Sequence, residues 1–241
     1  MKKFKLKKSI LKFLLLIFSL IFIYALFNIF GWLDENRKTK DINKEINENI
    51  NINVDEGIFE VDFDELSNIN SDTIAYLLVN NTNIEYPVVK TTDNKFYLDH
   101  DFYKNKSEAG WVFMDYNNQF DGTDKNIVIY GHNRLDGIMF GTLNKTLDEK
   151  WCSNKDNLIV RLIDKNKTTE YKIFSVYKIK EEEYYINTSF DDNSFKTFIN
   201  RINNRSIHDF GDDLSKVNQI LTLSTCTIVD GYRLVVHAYK V

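Results

Sequence analysis

The sequence predicts a mainly β domain, closed or nearly closed into a barrel with a few helices and preceded by an N-terminal transmembrane helix. Three observations lead there: one long apolar run behind a lysine cluster, eight short β-rich runs separated by turn residues, and a single segment with helical spacing. With 241 residues, 43% of them hydrophobic and 14% aromatic, the chain can bury a proper core and has length for one domain plus an appendage.

The first element follows from Lys2, Lys3, Lys5, Lys7, Lys8 and Lys12, which precede an apolar run from Phe13 to Leu33 broken only by Ser19, Asn28 and Gly31. The run matches the roughly 20 residues that cross a bilayer. Lysines before it and Asp34 and Glu35 after it predict a cytoplasmic N-terminus and an extracellular remainder, by the positive-inside rule. A cleaved signal peptide is the competing reading. The stretch exceeds the roughly 7–15 residues of a signal-peptide core, and its exit, Asn28 to Trp32, lacks an A-x-A-like cleavage site, which favours an uncleaved single-pass anchor. Residues 1–12 are then a cytoplasmic basic segment, 13–33 the anchor and 34–60 a polar stalk or helix. In that third segment Ile42, Ile46, Asn49 and Ile50 recur near helical spacing, and either form is expected to hold the domain off the bilayer.

Residues 61–241 are expected to form the domain. Its strands are read at Tyr76 to Val79, Ile84 to Val89, Gly110 to Met114, Asn126 to Tyr130, Asn157 to Leu162, Tyr171 to Tyr177, Gln219 to Leu223 and Arg233 to Ala238. Many short strands joined by turns argue for a barrel rather than a parallel βαβ sheet. The exception runs from Asp192 to Phe210, where Phe195, Phe198, Ile199 and Ile202 fall at i, i+3, i+4 and i+7 and Asp191, Asp192 or Ser194 can cap a helix.

Composition excludes some functions. The net charge of -4, from 31 basic and 35 acidic residues, gives no general drive toward nucleic acid, and nothing else in the sequence points to it. Two cysteines make no disulfide scaffold, although one bridge between them stays open, and they supply no four-ligand zinc site. No cofactor or metal is expected; the Glu181-Glu182-Glu183 run reads as a solvated loop rather than a calcium site.

Cys226 ends an apolar strand in Thr222-Leu223-Ser224-Thr225-Cys226-Thr227, where a scaffold can present a side chain to a cleft, although a buried small hydrophobe fits the residue as well. Cys152, beside Trp151, reads as structural. A thiol nucleophile needs a proton acceptor within hydrogen-bond reach. Of His100, His132, His208 and His237, His132 is best placed, following a strand through Tyr130-Gly131-His132-Asn133, yet a surface loop histidine would look the same. His237 lies within the last strand and suits a packed role. Arg233 starts that strand seven positions after Cys226, across the Asp230-Gly231 turn. There it suits either an oxyanion partner or an ordinary salt bridge.

Thr222-Leu223-Ser224-Thr225-Cys226 followed by Tyr232-Arg233-Leu234-Val235-Val236-His237-Ala238 resembles the signature of sortases, surface enzymes that attach proteins to the Gram-positive cell wall. The resemblance extends through Tyr130 to Asn133, Asp136 to Phe140, Gly110 to Asp115, Tyr86 to Val89, Asp93-Asn94 and Tyr97 to Phe102, and it is to class B in particular. The helix before the cysteine strand agrees with class B. Thr227 departs from the acidic residue that some members carry after the cysteine.

The resemblance implies a sortase β barrel whose cysteine cleaves an Asn-Pro-x-Thr-Asn or Asn/Ser-Pro-x-Thr-Gly sorting signal after threonine. It makes Cys226 the nucleophile, His132 the acid/base group and Arg233 the oxyanion stabiliser, and sets Asn94, Leu98, Tyr130, Ser224 and Ile186 along the peptide groove. The Glu183-Tyr184-Tyr185-Ile186 segment is a plausible groove wall. Implied partners are surface proteins with C-terminal sorting signals and an amine of a peptidoglycan precursor (lipid II) or wall peptide. A secreted cysteine endopeptidase would share the same residues, whereas an inactive membrane-tethered binding module predicts the loss of one of them.

Overall fold

Eight strands close on themselves in the order β1-β2-β3-β4-β7-β8-β6-β5. A computed structural model describes residues 8–49, 61–180, 182–226 and 231–241 of the chain. The strands are β1 (Thr73–Val79), β2 (Glu85–Val89), β3 (Phe113–Met114), β4 (Asn126–Tyr130), β5 (Ile159–Ile163), β6 (Thr168–Lys180), β7 (Ile220–Cys226) and β8 (Tyr232–Lys240). Most neighbours are antiparallel, whereas β2 with β3 and β4 with β7 run parallel. Closure removes the exposed edges that short strands would otherwise present.

Each β-rich run read from the sequence overlaps one of these strands, although Asn157 and Leu158 end a 3-10 turn before β5. Gly110 to Met114 shortens to the two residues of β3, and Tyr171 to Tyr177 extends at both ends into the 13 residues of β6. Turn chemistry sets the first hairpin: Asn81 takes a positive φ of 56°, a conformation asparagine tolerates, and Thr82 Oγ1 donates to the Val79 carbonyl at 2.7 Å.

The barrel interior is filled by Ala75, Leu77, Val88, Val112, Ile129, Leu221, Leu234 and Val236 with their neighbours. Trp111 is buried against Tyr86 and Phe102 and donates its indole N–H to the Pro87 carbonyl at 2.9 Å. A second core forms outside the barrel. There the amphipathic α4 (Asp192–Asn203) packs Phe195, Phe198, Ile199 and Ile202 over Phe174, Tyr177, Ile220 and Val235. Asp191 caps it, accepting from the N–H groups of Asn193 and Ser194. The helix ends at Asn203, short of the expected Phe210, because Ile207 N–H donates to the Val176 carbonyl and draws the chain back to β6. Two further short helices, α2 (Phe63–Ile69) and α3 (Glu149–Cys152), lie outside the barrel wall.

The N-terminal part differs from a free stalk. One continuous helix, α1, runs from Lys8 to Asn49, and its first part is long and apolar enough to cross a membrane. Past Leu33 it packs on the barrel: Asn36, Thr39 and Ile46 are buried, Ile42 is half-buried, and Asn47 Oδ1 accepts from the Tyr76 hydroxyl at 2.6 Å. Ile42 and Ile46 therefore face the barrel. Ile50, the other end of that spacing, lies outside the described residues.

Candidate active site

Strand order and register place the chemistry-bearing residues. β7 runs parallel to β4 with Tyr130 opposite Ser224, so His132 and Cys226 lie two residues further along their respective chains. On its other side β7 is antiparallel to β8, with Cys226 opposite Arg233. Cys226 thus ends the central strand of three, between the residues read as its partners.

His132 and Arg233 both line a cavity of about 410 Å³, with Asn94, Leu98, Tyr130, Ser224 and Ile186 on the same wall; Trp111, Phe113, Gly131, Glu182, Glu183, Tyr185 and Thr225 complete the lining. All five residues assigned to a peptide groove are therefore brought together around one opening. His132 is half-buried, with Nε2 2.7 Å from the Leu98 carbonyl oxygen. Gly110 makes that approach possible. Its φ is +58°, and a Cβ there would lie 2.6 Å from the Tyr97 carbonyl oxygen and 3.0 Å from His132 Cδ2. Arg233 is half-buried, with Nη1 donating to the Tyr232 carbonyl at 3.3 Å. Thr227 and Asp230 lie outside the described residues.

The other titratable candidates are engaged elsewhere. His100 stacks on Phe96 at 4.0 Å, and its Nδ1 lies 2.7 Å from Asp99 Oδ1. His208 Nε2 lies 2.9 Å from the Thr146 carbonyl oxygen. Cys152 is a buried free thiol donating to the Thr146 carbonyl at 3.3 Å, so the bridge left open by the sequence does not form. Burial, and then the charge of Asp148, push its thiol up to about 11, well away from a reactive thiolate. Among the described residues no cluster of three or more His, Cys, Asp or Glu is arranged to hold a metal ion; Glu182 lies 3.6 Å from Arg205, and Glu181 is outside those residues.

Two buried groups that sequence reading missed hold the cavity wall. Asp115, 1% exposed, accepts from Asn94 Nδ2 at 2.8 Å and from the Tyr130 hydroxyl at 2.6 Å through one carboxylate oxygen. Its other oxygen accepts from the Asn117 N–H. Burial, then the hydrogen bond to Asp115, raise the Tyr130 phenol, which stays a neutral donor. Asn126 is the second. Its amide nitrogen donates to the carbonyls of Tyr185 at 3.2 Å and Asn187 at 2.9 Å, fixing the connection that carries Ile186. Tyr185 and Ser224 join hydroxyls at 3.1 Å, and Arg201 covers the Tyr184 ring at 3.7 Å.

Asn126 also ends a polar chain that begins at His237. The Thr222 hydroxyl donates to Asn126 Oδ1 at 2.6 Å, so it can only accept from His237 Nδ1 at 2.8 Å. His237 therefore carries its proton on Nδ1, and Nε2 accepts from the Tyr177 hydroxyl at 2.8 Å. Burial lowers the His237 pKa to about 3 from an ordinary 6.5. Above 6.5 the imidazole is neutral in folded and unfolded chains alike, and its contribution to stability is complete. Between 6.5 and 3 the unfolded chain takes up a proton that the folded one refuses, so stability falls with pH by about 1.4 kcal/mol per unit from this group. His237→Gln, which keeps a donor and an acceptor, is expected to flatten urea-unfolding stability between pH 6 and 4 by about that slope; equal slopes would contradict the assignment.

Comparison with known proteins agrees with the fold. The family model described as the Sortase domain matches residues 77–241. A protein named Sortase B from Listeria monocytogenes is 35% identical over 173 residues, covering 70% of this chain and 68% of that one. Among solved structures, sortase B from B. anthracis in complex with AAEK1 superposes with a TM-score of 0.76 at 29% identity, over 87% of this chain and 99% of that one. The Staphylococcus aureus sortase B-substrate complex superposes with a TM-score of 0.69 at 28% identity, over 74% and 84%.

Proposed function

The chain belongs to the sortase family, in its class B of cell-wall-anchoring transpeptidases, and from that premise we propose that it cleaves a Pro-x-Thr sorting signal after threonine and passes the acyl group to a peptidoglycan amine. The observation that supports the reading is the register of β4, β7 and β8, in which Cys226 pairs with Arg233 and follows Ser224 by two residues as His132 follows Tyr130, together with the cavity that His132 and Arg233 line.

In the first half-reaction the Cys226 thiolate attacks the threonine carbonyl carbon. The carbonyl oxygen becomes an oxyanion, neutralised by the Arg233 guanidinium and a backbone N–H. As the C–N bond breaks, imidazolium at His132 gives its proton to the departing amine. A thioester remains on Cys226. In the second half an amine of lipid II or of a wall peptide attacks the thioester, neutral His132 takes the amine proton, and the thiolate leaves. One amide is exchanged for another, with no oxidant and no cofactor.

Asn94, Leu98, Tyr130, Ser224 and Ile186 are assigned to the signal peptide. The cavity offers it an apolar face at Leu98, Trp111 and Ile186 and polar groups at Asn94, Tyr130 and Ser224. That the Staphylococcus aureus relative is solved as a sortase B-substrate complex supports substrate binding by this fold. The apolar part of α1 is assigned to the membrane as an uncleaved, single-pass anchor with a cytoplasmic N-terminus, and residues 61–241 to the extracellular catalytic domain.

Quenched Asn-Pro-x-Thr-Asn, Asn-Pro-x-Thr-Gly and Ser-Pro-x-Thr-Gly peptides, with and without an added amine, test the reaction. Products joined to the amine support transpeptidation; cleavage that ignores it would favour an endopeptidase. Arg233→Lys is expected to lower kcat by about 10²-fold, because an ammonium lacks the planar fork that meets an oxyanion. Ordinary turnover of the lysine variant would remove Arg233 from the mechanism.

A further inference from the structure

We propose that the loop around Leu135 is a membrane-contact surface: the barrel rests on lipid headgroups with Leu135 inserted at the interface, and the His132 edge of the cavity lies beside the bilayer. The proposal rests on the reading of α1 as a membrane anchor and extends it to the catalytic domain.

Helix geometry carries the argument. The apolar run ends with Trp32 and Leu33, half-exposed in the isolated chain, and tryptophan marks a membrane–water boundary. Because α1 is continuous to Asn49 and rises 1.5 Å per residue, Glu35 and Asn36 stand only about 3–5 Å beyond Leu33. Both are already bonded to the barrel. Glu35 Oε1 accepts from Ser107 Oγ at 2.9 Å and from the Glu108 N–H, and Asn36 Oδ1 accepts from Arg134 Nη2. The interfacial layer on one side of a bilayer is about 5–7 Å deep, so the barrel surface at these contacts sits within it. No polar spacer separates the two.

Leu135 follows Arg134, whose guanidinium reaches Asn36, while the next residues, Asp136 to Ile138, border α1 from Lys40 to Glu48. Leu135 is 78% exposed, more than any other large apolar residue among the described residues. Its flanks are held inward: the side chains of Arg134 and Asp136 are 11% and 8% exposed and pair at 3.4 Å. Arg37 and Lys38, both largely exposed on the first turn past the apolar run, each pair with Asp34 at 2.8 Å and keep exposed N–H groups for phosphate headgroups, while Glu35, Glu108 and Asp136 are the other acidic groups nearby. His132 is two residues from Arg134, hence at most about 7 Å away along the chain. A membrane-held sorting signal and a lipid-linked amine would then meet the cavity at the bilayer surface.

The test uses the full chain in vesicles of phosphatidylcholine and phosphatidylglycerol, carrying Cys226→Ala and Cys152→Ser, with an environment-sensitive fluorophore on one introduced cysteine. Leu135→Cys is compared with Leu20→Cys, within the anchor, and Glu48→Cys, about 22 Å beyond Leu33. Lipids spin-labelled near the headgroup are expected to quench the Leu135 probe and shift its emission to the blue, and to leave the Glu48 probe unchanged. A Leu135 probe that behaves like the Glu48 probe while the Leu20 probe is buried in lipid would overturn the contact surface and leave the anchor standing. A Leu20 probe exposed to water would overturn the anchor itself, and the contact surface with it.

Discussion

Cys226→Ala is expected to abolish thioester formation and lower turnover by about 10⁴-fold or more, with the barrel still folded, because the proposed mechanism takes its nucleophile from this thiol. Cys152 cannot substitute for it. That thiol is buried, bonded to the Thr146 carbonyl and raised to about 11. The fold survives because β7 is held by backbone pairing to β4 and β8 along its length, which alanine preserves. Rates on a signal peptide and far-ultraviolet circular dichroism check both halves. Residual turnover near the parent's rate would remove Cys226 from the chemistry.

His132→Ala is expected to cost about 10²–10⁴-fold, the range for losing a positioned acid/base group. The loss should fall on both half-reactions, since the proposed mechanism gives one imidazole both the departing amine and the incoming one. Among the described residues the remaining histidines do not line the cavity: His100 is stacked on Phe96, His208 is bonded to Thr146 and His237 is locked between Tyr177 and Thr222. Single-turnover acylation and amine-dependent deacylation, measured separately, check the claim. A variant slowed in neither step would contradict it.

The strands were legible because short alternating and buried runs between turn residues carry their own signal, and closure into a barrel followed from their number and spacing. α2 was missed although Phe63, Leu66 and Ile69 repeat every three residues behind the Asp62 cap, because seven residues give a weak period next to strong β runs. The part of α1 beyond Leu33 was read as either a weakly amphipathic helix or a polar stalk, and it is helical, but it was expected to hold the domain off the bilayer rather than to dock on it. Its contacts with the barrel are long-range and largely polar, Asn36 with Arg134 and Glu35 with Ser107, so no local pattern announces them.

The candidate site divides in the same way. Cys226, His132 and Arg233 were visible at strand ends, and their mutual placement is now explained by the order β4-β7-β8. Asp115 and Asn126 were not assigned. Asp115 follows a short strand and Asn126 opens one, positions shared with many surface polar residues; only the tertiary fold buries them and aims them at Asn94, Tyr130 and the Ile186 connection.

The most direct test of the central claim is the intact mass of the full chain after brief incubation with an excess of a Pro-x-Thr signal peptide and no amine, followed by peptide mapping. The account predicts an added mass equal to the fragment ending in threonine, mapped to Cys226, and its discharge when an amine is supplied. Peptide cleavage with no adduct, or an adduct at another residue, would contradict it.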